Sequence, residues 1–249
     1  MPINTSRRLT GQVRTADSNR HLGFTLAFVA GAVNAGGFLA IHHYTSHMTG
    51  IVSTMADNLV LGTHEAVLAG AAALFAFVAG AASSAMLVLF ARRRGMNSQY
   101  ALPLMIEAVL LLCFGMLGAR LANIDGLFFP LTIMLLAFIM GLQNAVISKL
   151  SDAEIRTTHV TGILTDIGIE LGRRLYGRLQ PSDGVRRDMG RGRKLRLLCT
   201  LAACFFLGGI AGTIGFHELG YPATVPLALV LLGVASAPVA DDLRARWRR

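Results

Sequence analysis

Long apolar stretches alternate with short polar ones along almost the whole chain. Six apolar blocks run over about 24–41, 66–91, 102–119, 127–147, 197–216 and 222–240. A helix rises 1.5 Å per residue and needs ~20 apolar residues to cross a bilayer, which is close to the length of these blocks. None of them shows the alternation of polar and apolar residues that a membrane β-barrel strand carries. We therefore predict transmembrane helices.

Two weaker segments, about 50–62 and 160–176, carry polar residues that are costly against lipid. Composition agrees with a membrane protein, since 53% of the residues are hydrophobic, 15% are charged and the mean hydropathy is +0.56. A soluble domain carries about 25% charged residues, because water must wet its surface. The composition therefore predicts an all-α membrane protein in which the two weak segments leave the span count open.

The basic residues decide the span count. Of the 23 basic residues, 22 lie in four segments: 4 before residue 24, 3 at Arg92–Arg94, 11 between Lys149 and Arg196, and 4 after residue 243. All four segments lie on one side of the membrane only if the six strong blocks cross and the two weak segments do not. Cytoplasmic loops carry the excess of Lys and Arg. The sequence predicts a multi-pass protein of the bacterial inner membrane with six spans and both termini in the cytoplasm.

The same pattern predicts the domain organisation and the partners. We expect a cytoplasmic N-terminal segment at 1–23, a single membrane domain at 24–240 with a cytoplasmic loop at 177–196, and a cytoplasmic basic tail at 241–249. The net charge of +9 lies between apolar blocks, which favours contact with anionic lipid head groups at the cytoplasmic face over nucleic acid. A homo-oligomer stays open. The three cysteines have no metal-ligand spacing, and we expect no cofactor or metal.

Two short motifs occur twice, in the same order. The string HMTGI at 47–51 resembles HVTGI at 159–163, and upstream GAVNA at 31–35 resembles GLQNA at 141–145. One short match would be weak, but two matches in order indicate an internal duplication. Each Gly-x-x-Asn-Ala lies late in a long apolar block, and each His-x-Thr-Gly opens one of the weak segments.

The duplication predicts the architecture. The two halves run over about 24–119 and 127–240, each with a span, a short segment and two further spans. Because three crossings is an odd number, the second half enters the membrane from the opposite side. The predicted fold is an all-α membrane protein of six transmembrane helices in two inverted three-helix repeats, each with a short re-entrant or broken helix. Inverted repeats are common among secondary transporters.

The His-x-Thr-Gly motif suggests a helix start. Thr is a good N-cap, and Gly allows close backbone approach at a turn. If each short helix dips into the protein, its unpaired N–H groups and its dipole point toward the membrane midplane. Two such ends would form a site for a small anion or polar solute. The alternative is a pair of re-entrant caps that only close the fold.

These motifs also resemble those of the YoaK-like family of bacterial membrane proteins, over roughly residues 22–240. The resemblance rests on five features: AGAVNA near the first span, SHMTG at 46–50, Glu107, GLQNAV at 141–146 and TTHVTGILTD at 157–166. Two positions differ from the family pattern, with Ile51 where Asn is usual and Asn34 where an acidic residue is frequent. The resemblance implies a six-span inner-membrane protein and no established substrate.

The candidate site residues are polar residues in the spans, residues of the repeated motifs and one acid of the second weak segment. Glu107 lies about six residues into the third span, where a carboxylate is costly and is by default a functional hypothesis. The alternative for Glu107 is a neutral or hydrogen-bonded acid that ties helices together, and for the others it is a helix–helix hydrogen bond, a cap or an amphipathic face. The candidate substrate-binding residues are Asn34, His47, Thr49, Gly50, Glu107, Gln143, Asn144, His159, Thr161, Gly162 and Asp166.

We therefore expect a secondary transporter or permease-like protein for a small polar or anionic solute, with Glu107 as a candidate for proton coupling. The sequence contains no nucleotide-binding glycine loop, nucleophile elbow or metalloprotease helix. Two alternatives stay open: a membrane-embedded enzyme acting on a lipid or small substrate, and a non-catalytic membrane scaffold. A single polar cavity that contains Asn34, His47, Glu107, Asn144 and His159 would weaken the scaffold hypothesis.

Overall fold

The computed structural model describes residues 9–10, 15–41, 44–121, 128–151, 155–179 and 189–247. Eight α-helices can be followed through them, and one 3-10 turn (Tyr221–Ala223) precedes the last. The helices are α1 (Ala16–Ile41), α2 (Met48–Val60), α3 (His64–Arg93), α4 (Ala101–Leu121), α5 (Phe128–Leu150), α6 (Val160–Leu179), α7 (Met189–Leu219) and α8 (Thr224–Trp247). Within the described residues there is no strand, in agreement with the predicted all-α class.

Six helices of the described chain are long and apolar enough to cross a membrane: α1, α3, α4, α5, α7 and α8. Each coincides with one of the apolar blocks. The two remaining helices, α2 and α6, coincide with the two weak segments. The predicted division into six spans and two shorter helices is confirmed at the level of helix length and composition.

Several helices are longer than the apolar blocks, because they include polar residues on either side of them. α1 begins at Ala16, well before the apolar block, because the backbone N–H of Ser18 donates to Thr15 Oγ1 at 3.2 Å. Asp17 lies in the first turn, where a negative charge favours the helix dipole. The segment predicted at 1–23 is therefore helical from residue 16, and residues 1–8 and 11–14 lie outside the described residues.

The polar stretch at 177–196 is also partly helical. α6 continues to Leu179 and α7 begins at Met189, while residues 180–188 lie outside the described residues. Arg and Lys are good helix formers in water, so a polar sequence does not by itself mark the end of a helix. The basic tail shows the same behaviour, since α8 continues to Trp247.

Close pairing of helices through glycine holds the bundle together. α1 packs against α7, where a Cβ on Gly31 would collide with the carbonyl oxygen of Phe205, and a Cβ on Gly208 with that of Phe28. Only a residue without a side chain permits backbones to approach this closely. Small residues therefore fix this helix pair by direct backbone contact.

α3 and α5 pair in the same manner. A Cβ on Gly80 would collide with the carbonyl oxygen of Phe138, and a Cβ on Gly141 with that of Phe77. In both helix pairs the glycine meets the carbonyl of the Phe that lies three residues before the partner glycine. The first long helix of each half thus packs against the second long helix of the other half.

The third long helices, α4 and α8, pack against each other. At one end of this pair, Asp242 accepts hydrogen bonds from the backbone N–H groups of Asn97 and Ser98, both at 2.9 Å. At the other end Gly115 and Gly118 lie against the turn that contains Tyr221. The Asp242 carboxylate thus satisfies two N–H groups of the turn that precedes α4.

Apolar side chains lie on both sides of this bundle. Those between helices are buried and form one main cluster, which includes Leu26, Leu104 and Met140. Large apolar side chains also lie on the outside, such as Phe75, which is 72% exposed in α3. An exterior this apolar suits contact with lipid rather than water.

Candidate functional site

A cavity of about 590 Å³ lies where the two repeated motifs meet. Except for Ser148, its lining residues form pairs that correspond between the motifs. The pairs are Asn34 with Asn144, Tyr44 with Arg156, Ser46 with Thr158, His47 with His159, Met48 with Val160, Thr49 with Thr161, and Phe77 with Phe205. Residues more than 100 positions apart in sequence therefore share one space, whose volume is that of a small-molecule site.

In the first half, Asn34 fixes the chain that leads into α2. Its Oδ1 accepts a hydrogen bond from Ser46 Oγ at 2.8 Å and one from the Ser46 backbone N–H at 3.3 Å. The segment after α1 is thereby held against α1, and α2 begins two residues later. Asn34 Nδ2 makes no hydrogen bond to another described residue and remains available as a donor at the cavity.

In the second half, Asn144 has the same role. Its Oδ1 accepts a hydrogen bond from Thr158 Oγ1 at 2.8 Å, and α6 begins two residues after Thr158. Its Nδ2 donates within α5 to the carbonyl oxygen of Met140 at 2.9 Å. The repeated asparagines therefore act as tethers that set the start of each short helix.

The His-x-x-Gly spacing brings each imidazole onto the first turn of its helix. A Cβ on Gly50 would collide with the ring of His47, and a Cβ on Gly162 with the ring of His159. The glycines are needed because the ring occupies the space that a side chain would take. Both imidazoles are thus held at the cavity.

The expectation that Thr caps these helices is wrong. His47 is the N-cap residue of α2 and makes no side-chain capping hydrogen bond, while Thr49 is the second helical residue. α6 likewise begins at Val160, so that Thr161 is its second residue. The Thr hydroxyls line the cavity instead of closing the helix ends.

α2 has no side-chain cap, whereas the first N–H of α6, that of Val160, donates to the carbonyl of Thr158 at 3.0 Å. The first hydrogen bonds that close the helices run from Ile51 N–H to the His47 carbonyl and from Ile163 N–H to the His159 carbonyl. The N–H groups of Met48, Thr49 and Gly50 in α2, and of Thr161 and Gly162 in α6, have no partner within the helix and are available to a ligand. Two helix N-termini, each with the positive end of a dipole, thus border one cavity.

The cavity also carries positive charge. Arg156 lies on its wall with an exposed side chain, and it makes no hydrogen bond or ion pair with another described residue. Among the described residues that line the cavity, no Asp or Glu occurs. An arginine, two helix N-termini and several hydroxyl and amide donors together favour an anionic ligand.

Glu107 and Gln143 lie elsewhere, between α4 and α5. Gln143 Nε2 donates to Glu107 Oε1 at 2.8 Å, and both side chains are fully buried. Glu107 Oε2 and Gln143 Oε1 have no hydrogen-bond partner within the described residues. Neither residue lines the cavity, so their part in binding or coupling stays a prediction.

The three other predicted residues, Gly50, Gly162 and Asp166, do not line the cavity. Gly50 lines a neighbouring apolar pocket, and Gly162 lies beneath the imidazole of His159. Asp166 is 45% exposed and pairs with Lys194 of α7 at 3.5 Å. Asp166 therefore joins α6 to α7 and does not line the cavity.

Sequence reasoning missed Arg156, Ser46 and Thr158. In the sequence, Arg156 is only one of the many basic residues of a predicted cytoplasmic segment. Aligning the two His-x-Thr-Gly motifs would have paired Ser46 with Thr158, two hydroxyls at the same distance before the histidine. That correspondence identifies the tethers from sequence, whereas Arg156 corresponds to Tyr44, a residue of different chemistry, and carries no such signal.

Comparison with known proteins places this architecture in a family. Residues 22–237 match the model of a family described as "Protein of unknown function (DUF1275)". The chain belongs to this family. It is also 27% identical over 175 residues to the "UPF0700 transmembrane protein YoaK" of Bacillus subtilis (strain 168), covering 70% of this chain and 76% of that protein. The resemblance to YoaK-like proteins is therefore confirmed.

No solved structure matches the chain. The family match and the six long apolar helices together identify a multi-pass membrane protein. The description of the family names no activity.

Proposed function

We propose that this protein is a secondary transporter or permease-like protein that binds a small anion in the cavity between α2 and α6. The proposal places it in the bacterial inner membrane with both termini in the cytoplasm. The observation that carries it is the convergence of two helix N-termini and Arg156 on one cavity whose described lining holds no carboxylate.

The proposed ligand follows from the groups that face the cavity. A helix N-terminus stabilises a negative charge by ~0.3–1 kcal/mol, and by up to ~2 kcal/mol in partly buried geometry. A hydrogen bond to a charged group such as Arg156 adds about 1.5–3 kcal/mol. A cation would meet the same groups with the opposite sign, so the lining discriminates between the two charges.

Transport requires that the cavity open to each side of the membrane in turn. We propose that the chain consists of two inverted halves whose relative movement opens it alternately. The paired lining residues support this, as does the crossed packing of α1 on α7 and of α5 on α3. In such proteins half-helix N-termini bind anionic groups near the midplane while one half moves against the other. The anion would sit between α2 and α6 during that movement.

Glu107 is the proposed coupling group. It is a fully buried carboxyl with one oxygen hydrogen-bonded to Gln143 and one without a partner in the described residues. An ionisable group inside a membrane bundle is a candidate proton carrier. Because it lies outside the cavity, it would act on the conformational change rather than on the anion directly.

The experiment is uptake of a panel of labelled solutes into proteoliposomes with the purified chain. The panel holds small anions, cations of the same size and neutral polar solutes, each compared with empty liposomes. We expect uptake of one or more anions only, reduced at least tenfold by Arg156→Gln. The matched control is Arg92→Gln, which removes an exposed arginine at the end of α3, outside the cavity.

Uptake of cations, or equal loss in both arginine variants, would contradict the anion proposal. No uptake and no binding of any solute would favour the scaffold alternative. Chemical change of a solute or lipid during the assay would favour the enzyme alternative.

The membrane orientation has a separate test. Cysteines introduced at 92–94 and at 189–196 should react with an impermeant thiol reagent only from the cytoplasmic side. Labelling of the two segments from opposite sides would exclude six crossings with both termini inside.

A further inference from the structure

A second pocket of about 340 Å³ adjoins the polar cavity on the side of α2, α3 and α5. Its walls are mainly aliphatic or small, including Ile51, Met55, Ala69, Ala73 and Ile133. Its volume lies at the lower end of the ~300–1,000 Å³ range of small-molecule sites. The pocket therefore suits a short alkyl chain or a single ring rather than a diacyl lipid.

The two spaces are neighbours that share residues. Tyr44 and His47 line both the polar cavity and the apolar pocket. A ligand that spans this boundary would place a charged end near the helix N-termini and an apolar end beside Met55. The two surfaces are thus arranged as the two parts of one amphipathic molecule would require.

A buried hydroxyl lies at the same boundary. Thr45 follows Tyr44, lines the apolar pocket and is 1% exposed. Its Oγ1 has no hydrogen-bond partner among the described residues. A buried hydroxyl without a partner costs free energy, and a polar atom of a ligand at this junction would satisfy it.

In the described part of the second half, larger side chains take the positions that correspond to walls of the pocket. Aligning Gly80 with Gly208 pairs Ala69, Gly70 and Ala73 of α3 with three leucines of α7. These are Leu197, Leu198 and Leu201, all buried in the core. The apolar pocket therefore depends on small residues that only the first half carries.

Two other lining positions of the pocket differ between the halves in the same way. Aligning His47 with His159 pairs Thr54 with Asp166, and aligning Gly80 with Gly208 pairs Ala66 with Lys194. Thr54 and Ala66 line the pocket, whereas Asp166 and Lys194 form an ion pair at 3.5 Å. At these positions the first half has the lining of a pocket, whereas in the second half an ion pair joins α6 to α7.

We propose that the ligand is an organic anion whose short apolar group occupies the pocket between α2 and α3. This inference rests on the proposed function and names its substrate class. The anionic group binds at the two helix N-termini and Arg156, and the apolar group lies against Ala69, Ala73 and Met55. The occupant is a free organic acid, and the acyl chain of an anionic lipid is the rival source of the same chemistry.

The test is equilibrium binding of alkanesulfonates, from methanesulfonate to hexanesulfonate, to the full chain in nanodiscs of zwitterionic lipid. The sulfonate stays charged, so that only the apolar group varies along the series. We expect the Kd to fall about fourfold for each added methylene that the pocket buries, until the chain fills it.

Ala69→Leu copies the residue of the second half and should fill the pocket. We expect it to abolish the dependence of Kd on chain length while the Kd of methanesulfonate changes by less than twofold. The matched control is Ala71→Leu, because Ala71 is also an exposed residue of α3 but lines neither the cavity nor the pocket. It should retain the dependence of the wild type.

Each remaining outcome has one meaning. Binding of all sulfonates with the same Kd, or an equal effect of both alanine variants, would overturn this inference and leave the anion site standing. Binding of none would overturn both proposals. Adding anionic lipid to the nanodiscs should leave the Kd of hexanesulfonate unchanged, and competition by the lipid would overturn the assignment to a free acid.

Discussion

The entrances to α2 and α6 are built alike and differ in what they offer a ligand. In both, an asparagine tethers a hydroxyl residue, and an imidazole lies on a glycine of the first turn. The match includes Ser46 and Thr158, each directly before its histidine, but two residues earlier Tyr44 of the first half corresponds to Arg156 of the second. The shared features position the helix ends, and the differing ones set charge and selectivity.

Residues that correspond in both halves are expected to have a structural role, and residues that differ are expected to recognise the ligand. A tether or a packing glycine should be equally important in both halves, because its counterpart does the same work. A residue such as Arg156, whose counterpart Tyr44 carries no charge, should matter in one half only. Variants made in corresponding pairs therefore test the comparison directly.

The largest effects are expected at the packing glycines. Gly80→Ala and Gly208→Ala should each lower stability by about 3 kcal/mol, since the added Cβ meets a backbone carbonyl that cannot move aside. Thermal unfolding of the detergent-solubilised protein measures the loss. Gly168→Ala is the control, because a Cβ there meets open space. A large loss at one packing glycine alone would break the equivalence of the two helix pairs.

The next largest effect is expected on removal of the charge of Arg156, on one side of the cavity. Arg156→Gln should raise the Kd of a small anion by about 10- to 100-fold, because a charge-assisted hydrogen bond contributes ~1.5–3 kcal/mol. Tyr44→Phe should change the same Kd by less than twofold. Titration calorimetry of both variants against one anion measures the difference. Similar losses in the two would mean that selectivity is spread over both halves.

The tethers should have a smaller and symmetrical effect. Asn34→Ala and Asn144→Ala each remove the acceptor that holds the start of a short helix, worth about 1 kcal/mol. We expect the anion Kd to rise about fivefold in each. Asn97→Ala, an exposed asparagine near the start of α4, serves as the control. A loss confined to one tether would show that a single helix end binds the anion.

The smallest effect on binding is expected at Glu107. Glu107→Gln should leave the anion Kd within about twofold of the wild type, because the side chain lies outside the cavity. Uptake driven by a pH gradient should fall to its level without a gradient, since an amide carries no exchangeable acidic proton. Glu65→Gln at the start of α3 is the control. A gradient effect that survives Glu107→Gln would remove Glu107 from coupling.

The positions of the helices were largely predictable from hydropathy. Blocks of apolar residues locate the six long helices, and the polar residues of 50–62 and 160–176 separate α2 and α6 from them. The helix ends were less predictable, as α7 shows by extending through basic residues to Met189. Hydropathy measures contact with lipid, and a helix can continue into water.

The site was predictable in part, through the repeated motifs. They indicated Asn34, His47, Asn144 and His159, which line the cavity together. Arg156 was not predictable, because a single basic residue near a membrane end has the same pattern as a topology signal. Glu107 stood out as a carboxylate in a span, yet its position in the sequence is the same whether or not the side chain faces a cavity.

The central claim is that one anion binds to both short helices at once. Thr49→Cys and Thr161→Cys, each in a chain whose three native cysteines are replaced by alanine, place a thiol at either helix end. Modification by a charged thiol reagent is followed at rising concentrations of methanesulfonate, with Asp57→Cys as an exposed control outside the cavity. We predict that the anion protects both cysteines with the same midpoint and leaves the control unprotected. Protection of one cysteine alone, or of neither, would contradict the account.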